Sequence, residues 1–309
     1  FLFGATMIYG ATGTTNYNEI ASAVTSGSIL SKVYFSLGIG LLLIGFAFKV
    51  ALVPFHMWSP DVYQGAPTTV TAFLCTAPKV AGFGALLNIF IMAFMEIQVE
   101  WQNLFWILAA LTMTVGNISA LMQSHVKRML AFSSVSHAGY LVLGVLVLNS
   151  VGLSAVLFYL VVYSVMNLGA FGIILLLEKD DRGLAFEDYR GFASQHPWMA
   201  GAMALFMISL AGFPPTGGFV AKYGLLSSAV SEGYIWLVII AVLNTLVSAY
   251  YYLRLIVNMY MQEEKEALHP VSGVLVLGLI GLLAVIVLTL GITPGFLLKI
   301  TAEAATTVF

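Results

Sequence analysis

This sequence predicts an all-α integral membrane protein, a polytopic helix bundle with two broken helices. Three observations carry that expectation. Of its 309 residues, 60% are hydrophobic and only 8% charged, with a mean hydropathy of +0.98, far outside the range of soluble domains. Apolar stretches of about the 20 residues that a spanning helix requires recur along the whole chain. Three of them carry a lysine close to proline, residues that an uninterrupted span would exclude.

Nine segments meet the length rule, near residues 1–12, 33–56, 68–95, 103–122, 128–148, 152–177, 198–229, 234–261 and 272–294. The first, FLFGATMIYG, is short and lacks the basic stretch and small-residue cleavage site of a signal peptide. The chain therefore reads as a fragment that begins inside a helix, with further helices upstream. The second segment holds FKVALVP and the third APKVAGF. The fourth is plain, the fifth contains AFSSVSHAGY and the sixth FYLVVYSVMN. The seventh, with AGFPPTGGFVAK, is long enough for a span with an interruption, and the last two carry a single charge, Arg254. Between the sixth and seventh lies the largest polar piece, EKDDRGLAFEDYRGFASQHP at 178–197, which reads as a solvated loop. No second domain is expected.

With those spans, Lys127, Arg128, Lys179, Arg182, Arg190 and Lys265 fall on one side of the membrane, and only Lys32 and Lys299 on the other. The positive-inside rule makes the first side cytoplasmic, so the C-terminus faces outward. A net charge of -2 offers no basic surface to nucleic acid, and no Walker, Rossmann or zinc-ligand spacing is present. One cysteine, Cys75, excludes a disulfide within the chain and an iron–sulfur cluster held by it alone. The histidines at span ends or in loops, His56, His125, His196 and His269, show no haem-ligating pairing on one helix. No cofactor or metal is expected to bind this chain.

All 14 acidic residues fall in loops or at span ends, whereas Lys49, Lys79 and Lys222 lie inside spans, Arg254 nearer an end, and His137 inside its segment. A lysine at mid-bilayer costs roughly 2.5–3.5 kcal/mol on insertion scales, so these three should face protein or water. The alternative, snorkelling, suits Lys299 and Arg254 better than Lys49 or Lys222, which lie far from their segment ends. Each of the three lysines also sits beside proline, which withdraws a hydrogen bond from the carbonyl four residues earlier. Pro54 frees Val50, Pro78 frees Leu74, and Pro214 and Pro215 free Leu210 and Ala211. Helix breaks are thus expected at all four prolines. A pair of interrupted helices marks inverted-repeat transporters, with the ion site at the breaks; kinked packing helices are the alternative.

An amine taken out of water holds its proton less tightly, and a carboxylate brought near restores it. The lysines therefore read as proton seats whose counter-charge comes from upstream helices or another subunit. His137, next to Ser133, Ser134 and Ser136, has the near-neutral reference behaviour to pass protons between lysines, or is a hydrogen-bonded packing residue. Tyr159, Tyr163 and Asn167 recur at i, i+4 and i+8 on one helix face, where they could hold waters in a file or simply pack.

FKVALVPFHMWSPDVYQGAPTTVTAF, APKVAGF, SHVKRMLAFSSVSHAGY, SLAGFPPTGGFVAKY and SAYYYLRLIVNMY resemble, in this order, the N-type antiporter-like membrane-arm subunits of proton-pumping NADH:quinone oxidoreductase, respiratory complex I. The resemblance covers essentially the whole chain, with PFHMWSPDVYQGAP its most specific part. It implies a single membrane domain over 1–309, made of the remainder of a first inverted repeat (1–97, broken near 50–58), a second repeat (98–262, broken near 213–218) and a C-terminal helix (263–309). The nine segments would be family helices six to fourteen. The resemblance also implies that Lys49 serves the first half-channel, Lys79 the central connection and Lys222 the end of the second half-channel, with Lys127 and Arg128 at the cytoplasmic start of their helix. The family's glutamate partner for the first lysine has no counterpart here, and Tyr159, Tyr163 and Asn167 stand where siblings often place His and Lys. The implied function is proton translocation coupled to redox chemistry elsewhere, in a bacterial inner membrane. Adjacent antiporter-like and small membrane subunits would be partners, and NADH, FMN, iron–sulfur clusters and quinone would sit in partner subunits. A multisubunit cation/proton antiporter or membrane-bound hydrogenase subunit is the alternative, and a purely structural spacer a further one.

Overall fold

A computed structural model describes residues 1–178, 183–263, 268, 270 and 273–308, without the side chains of 99 and 100. Lys179, Asp180, Asp181, Arg182, Glu264, Lys265, Glu266 and His269, weighed above for charge and topology, lie outside the described residues, as does the Glu100 side chain. The helices are α1 Leu2–Thr12, α2 Tyr17–Thr25, α3 Lys32–Val50, α4 Trp58–Gly65, α5 Thr68–Met92, α6 Gln98–Leu121 and α7 Val126–Val147. They continue as α8 Ser150–Leu177, α9 Phe192–Gln195, α10 Pro197–Ala211, α11 Gly217–Ser231, α12 Ile235–Met261, α13 Val274–Ile292 and α14 Gly295–Thr306. Among the described residues no strand occurs, only an isolated bridge between His125 and Ala185.

Among the described residues seven helices are long and apolar enough to cross a membrane: α3, α5, the Trp101–Leu121 part of α6, α7, α8, α12 and α13. Nine segments were expected, and the difference has local causes. The helix in the first segment has only 11 residues. The seventh is split into α10 and α11, of 15 residues each, so neither half spans alone. Capping fixes several starts: Ser31 and Asn149 side chains accept from the amides of Tyr34 and Gly152, satisfying donors that the first helical turn leaves free.

α7 forms the centre of the bundle. Its hydropathy alone does not single it out, yet 94% of its apolar window is buried, against 11% for the peripheral α13. Without lipid-exposed surface to satisfy, α7 can carry Ser133, Ser134, Ser136, His137 and Tyr140, all buried. It touches α6 backbone to backbone at Gly139, where a Cβ would stand 2.7 Å from the Met113 amide nitrogen.

Both lysine-bearing interruptions have their own hydrogen-bond closure. α3 stops at Val50 because Ala51 adopts the left-handed conformation (φ 61°), and the Leu52 amide turns back to the Ala47 carbonyl at 2.7 Å. Thr112 on α6 accepts from the Val53 amide at 3.0 Å, and the Trp58 indole donates to the Phe48 carbonyl at 2.9 Å. The chain then forms α4, a short helix beyond the end of the expected segment at 56. In the second interruption α10 ends at Ala211, and the Ser209 hydroxyl accepts from the Gly218 amide at the start of α11 at 3.1 Å.

Two expectations are corrected. Pro78 does not break its helix: α5 runs continuously from Thr68 to Met92 with the proline inside. The carbonyl that Pro78 deprives, on Leu74, instead accepts from the Tyr63 hydroxyl at 3.0 Å, so a side chain on α4 replaces the missing amide. Nor is 178–197 a solvated loop in its described part, because Phe186, Tyr189 and Phe192 are buried in the core. Asp188 accepts from the amides of Leu184 and Ala185, Asn258 donates to the Phe186 carbonyl at 3.0 Å, and Arg254 lies 4.4 Å over the Phe186 ring. Burial, with Asp188 and Glu178 nearby, holds the Tyr189 phenol above its usual ionisation range. Aromatic residues between charges, which the loop's polarity hid, make it a strap across this end of the bundle.

Gly218 sits where the two halves of the second interrupted helix meet, and a Cβ there would lie 1.8 Å from the Ser209 carbonyl oxygen. Backbone cannot yield as a side chain does. Gly218→Ala is therefore expected to destabilise by about 1–3 kcal/mol, visible as a lower thermal unfolding midpoint in detergent; an unchanged midpoint would contradict the close approach.

Candidate functional site

The site is built around α7, whose residues at i, i+3 and i+6 (Ser134, His137 and Tyr140) meet the two buried lysines and the groups between them. Lys79 descends from α5 and is 2% exposed. Its amine donates to both the backbone carbonyl and the hydroxyl of Ser134, the latter at 2.6 Å, and lies 5.4 Å from the centre of the Tyr163 ring on α8. Lys222, on the second turn of α11, is 5% exposed. It donates to the Ala211 carbonyl at 2.9 Å and sits 4.9 Å over the Tyr140 ring. That carbonyl is the one Pro215 leaves without an amide.

Neutral groups hold both amines: carbonyl and hydroxyl oxygens, the C-terminal end of a helix, and the negative faces of aromatic rings. Each favours a cation without fixing it as a carboxylate would. Lys49 behaves differently. It occupies the last turn of α3, is exposed, and its stem passes Gly82 of α5. The stop of α3 at Val50 leaves it in the last turn before the first interruption.

His137 stands between the two lysines. Its ring packs against Tyr163, centroids 5.3 Å apart, and against Tyr140 at 6.2 Å, so the contacts run Lys79, Tyr163, His137, Tyr140, Lys222. Both ring nitrogens are engaged: Nδ1 with the Tyr159 hydroxyl at 2.6 Å and Nε2 with the Tyr252 hydroxyl at 3.1 Å. The Tyr252 hydroxyl also meets Ser133. A neutral imidazole has one donor and one acceptor nitrogen, and hydroxyls on both sides can serve either role. The group can take a proton on one side and release it on the other.

Of the Tyr159, Tyr163 and Asn167 stripe, all three are buried on α8 but only Tyr159 is bonded to the histidine. Asn167 donates to the Tyr163 carbonyl at 2.9 Å, while the Tyr163 hydroxyl and Asn167 Oδ1 are buried without partners among the described residues. Such atoms one turn apart suit bridging water.

Lys127 and Arg128, at the start of α7, each meet a carboxylate. Lys127, 2% exposed, lies 3.4 Å from Glu178 and donates to the Ala66 carbonyl at 2.7 Å; Thr68 donates to the same carboxylate. Arg128 pairs with Asp61 at 2.7 Å and with Gln64 at 2.8 Å. Lys127, Arg128, Asp61 and Gln64, with His125 and Leu184, line an open cleft of about 440 Å³ at the base of α7. Among the described residues no group of three His, Cys, Asp or Glu side chains is placed to hold a metal ion.

Sequence reasoning missed Tyr252, Tyr140 and Glu178. Tyr252 was legible: Asn244, Ser248, Tyr251, Tyr252 and Leu255 share the buried side of α12 at helical spacing. Nothing in one sequence pairs Glu178 with Lys127, because that contact closes the open end of the α7–α8 hairpin between residues 51 positions apart.

A family model described as the transmembrane region of NADH:quinone oxidoreductase and Mrp antiporters matches residues 1–248. NADH-quinone oxidoreductase subunit N of Trichlorobacter lovleyi is 47% identical over 98% of this chain and 63% of its own length. Subunit N 1 of Thermodesulfovibrio yellowstonii is 43% identical over 96% and 63%. The chain thus spans about 63% of the length of these curated relatives. A chain in the solved respiratory complex I of Thermus thermophilus superposes with a TM-score of 0.81 at 35% identity, over 96% of this chain and 64% of that one. A chain of the Mrp complex from Dietzia sp. DQ12-45-1b superposes at 0.88 and 24% identity, over 99% and 65%, which shows the fold alone.

Removing the Glu178 carboxylate leaves the Lys127 cation with only a carbonyl acceptor. Glu178→Ala is expected to cost between about 1 and about 3 kcal/mol, the surface and buried values for a broken pair. The double variant Lys127→Met/Glu178→Leu should recover most of it in thermal unfolding; equal losses in both would show that the charges do not interact.

Proposed function

This chain belongs to the NADH:quinone oxidoreductase/Mrp antiporter transmembrane family, and on that premise we propose that it is a proton-translocating membrane-arm subunit of an NADH:quinone oxidoreductase. The observation that carries this reading is the unbroken series of contacts from Lys79 through Tyr163, His137 and Tyr140 to Lys222. Lys49 supplies the first proton seat, Lys79 the connection and Lys222 the terminal seat. His137 exchanges protons with Tyr159 and Tyr252, and water held at Tyr163 and Asn167 bridges the remaining gaps.

A lysine held by neutral dipoles keeps or loses its proton according to charges that move nearby. Here that controlling charge comes from neighbouring membrane subunits, while NADH oxidation and quinone reduction, with FMN and iron–sulfur clusters, take place in partner subunits. The chain lies in a bacterial inner membrane with the Lys127, Arg128 and Arg190 end in the cytoplasm, following the positive-inside rule. Protons are taken up from that side and released at the other. The names of the subunit N relatives, at 47% and 43% identity, favour this reading over a cation/proton antiporter.

Protons moved per NADH oxidised in inverted membrane vesicles test the proposal. Replacing Lys79 or Lys222 with Ala in the intact complex should slow the affected proton step by roughly 100-fold or more, the usual worth of a positioned proton-transfer group. Arginine at either position keeps the charge but cannot shed its proton, and should not rescue. Native proton yield in both Ala variants would refute the reading. Proton movement driven by a sodium gradient, with no response to NADH, would transfer it to the antiporters.

A further inference from the structure

Lys79 and Lys222 both stand near proline, yet only Lys222 takes the carbonyl that its proline frees. Pro215 deprives Ala211, and the Lys222 amine bonds to that oxygen. Pro78 deprives Leu74, five residues before Lys79, but there the Tyr63 hydroxyl of α4 takes the oxygen, at 3.0 Å. A helical side chain leans toward the N-terminus of its helix, so Lys79 points along α5 toward the freed carbonyl. The remaining separation is short. The Tyr63 oxygen also faces the Ser134 hydroxyl, and that hydroxyl is 2.6 Å from the Lys79 amine.

Several contacts hold Tyr63 in place. It is buried, and its carbonyl accepts from Thr71 of α5 at 2.8 Å. Its ring meets Trp58 edge-on, with centroids 6.2 Å apart. Asp61 and Gln64 of the same short helix meet Arg128 of α7 at 2.7 and 2.8 Å, so α4 is tied to both helices that the phenol oxygen touches. An ammonium has three N–H donors, and Ser134 accepts two of them through its carbonyl and hydroxyl. A backbone carbonyl left bare in an apolar interior is a stronger acceptor for the third than an aromatic ring. With the Leu74 oxygen open, the amine would be anchored to its own helix as well as to α7. Tyr63 closes that option.

We propose that Tyr63 is a positioning residue: by occupying the Leu74 carbonyl it denies Lys79 an acceptor on α5 and directs the amine onto Ser134, toward Tyr163 and His137. It acts through Lys79 and is not itself a member of the proton route. The inference rests on the proton-translocating reading above.

Two variants of the intact complex separate this role from packing. Tyr63→Phe keeps the ring and bares the Leu74 carbonyl. Adding Pro78→Ala to it returns an amide to position 78, which restores the helical hydrogen bond to that carbonyl. In electron cryomicroscopy maps that resolve waters, the Lys79 amine is expected against the Leu74 carbonyl in the single variant and on Ser134 without it in the double variant. NADH-driven proton uptake by inverted vesicles should slow by roughly tenfold or more in Tyr63→Phe, the usual worth of one added hydrogen bond to a charged group, and recover in the double variant. An amine unmoved in Tyr63→Phe, with water or nothing on Leu74, overturns the proposal, and so does uptake at the native rate. A loss of uptake that Pro78→Ala does not reverse overturns it too, and would assign Tyr63 to packing or to the proton path itself. Native proton yield in Lys79→Ala would instead defeat the proton-translocating reading, and the maps alone would then decide what Tyr63 does.

Discussion

The hydrogen bond from the Lys222 amine to the Ala211 carbonyl is the interaction on which the rest of the arrangement depends. Proline makes it possible by withholding an amide from that carbonyl, and the end of α10 adds the negative pole of its helix dipole. A lysine inside an unbroken helix bundle would have to find a carboxylate or retreat to the membrane surface. The broken backbone offers a third solution, an acceptor that costs no second charge. The freed carbonyl at the helix interruption and the buried lysine therefore explain each other.

Lys79 reaches the same end by different means. Its helix is continuous, so no freed carbonyl on α5 is available to it, and Tyr63 takes the one that Pro78 leaves open. The amine turns instead to Ser134, where one residue of α7 supplies both a carbonyl and a hydroxyl. Aromatic rings complete both sites, Tyr163 at one and Tyr140 at the other. Rings suit this task because their faces attract a cation while their bulk excludes lipid and limits water to the places where polar atoms are unsatisfied.

Much of this was legible before the structure. Hydropathy and length located the spans, and the FPPTGG string located the second interruption because two successive prolines withhold two helix amides in a row. Pro78 was misread for a physical reason: a lone proline removes one hydrogen bond, and whether the helix breaks depends on a substitute donor, here supplied by α4 from outside the local sequence. The 178–197 strap was misread because its charges are local and its aromatic contacts are not. The pairing of His137 with Tyr252 joins residues 115 positions apart, and only the fold brings them together.

α7 is enclosed on nearly every side, and this has a mechanical consequence. Ser134 under one amine and Tyr140 under the other are six residues apart on one rod, about 9 Å along its axis at the helical rise. No neighbour leaves room for that rod to slide or bow alone. It acts as a ruler: the footings of the two amines keep a constant separation, and a displacement that tilts one must carry the other with it.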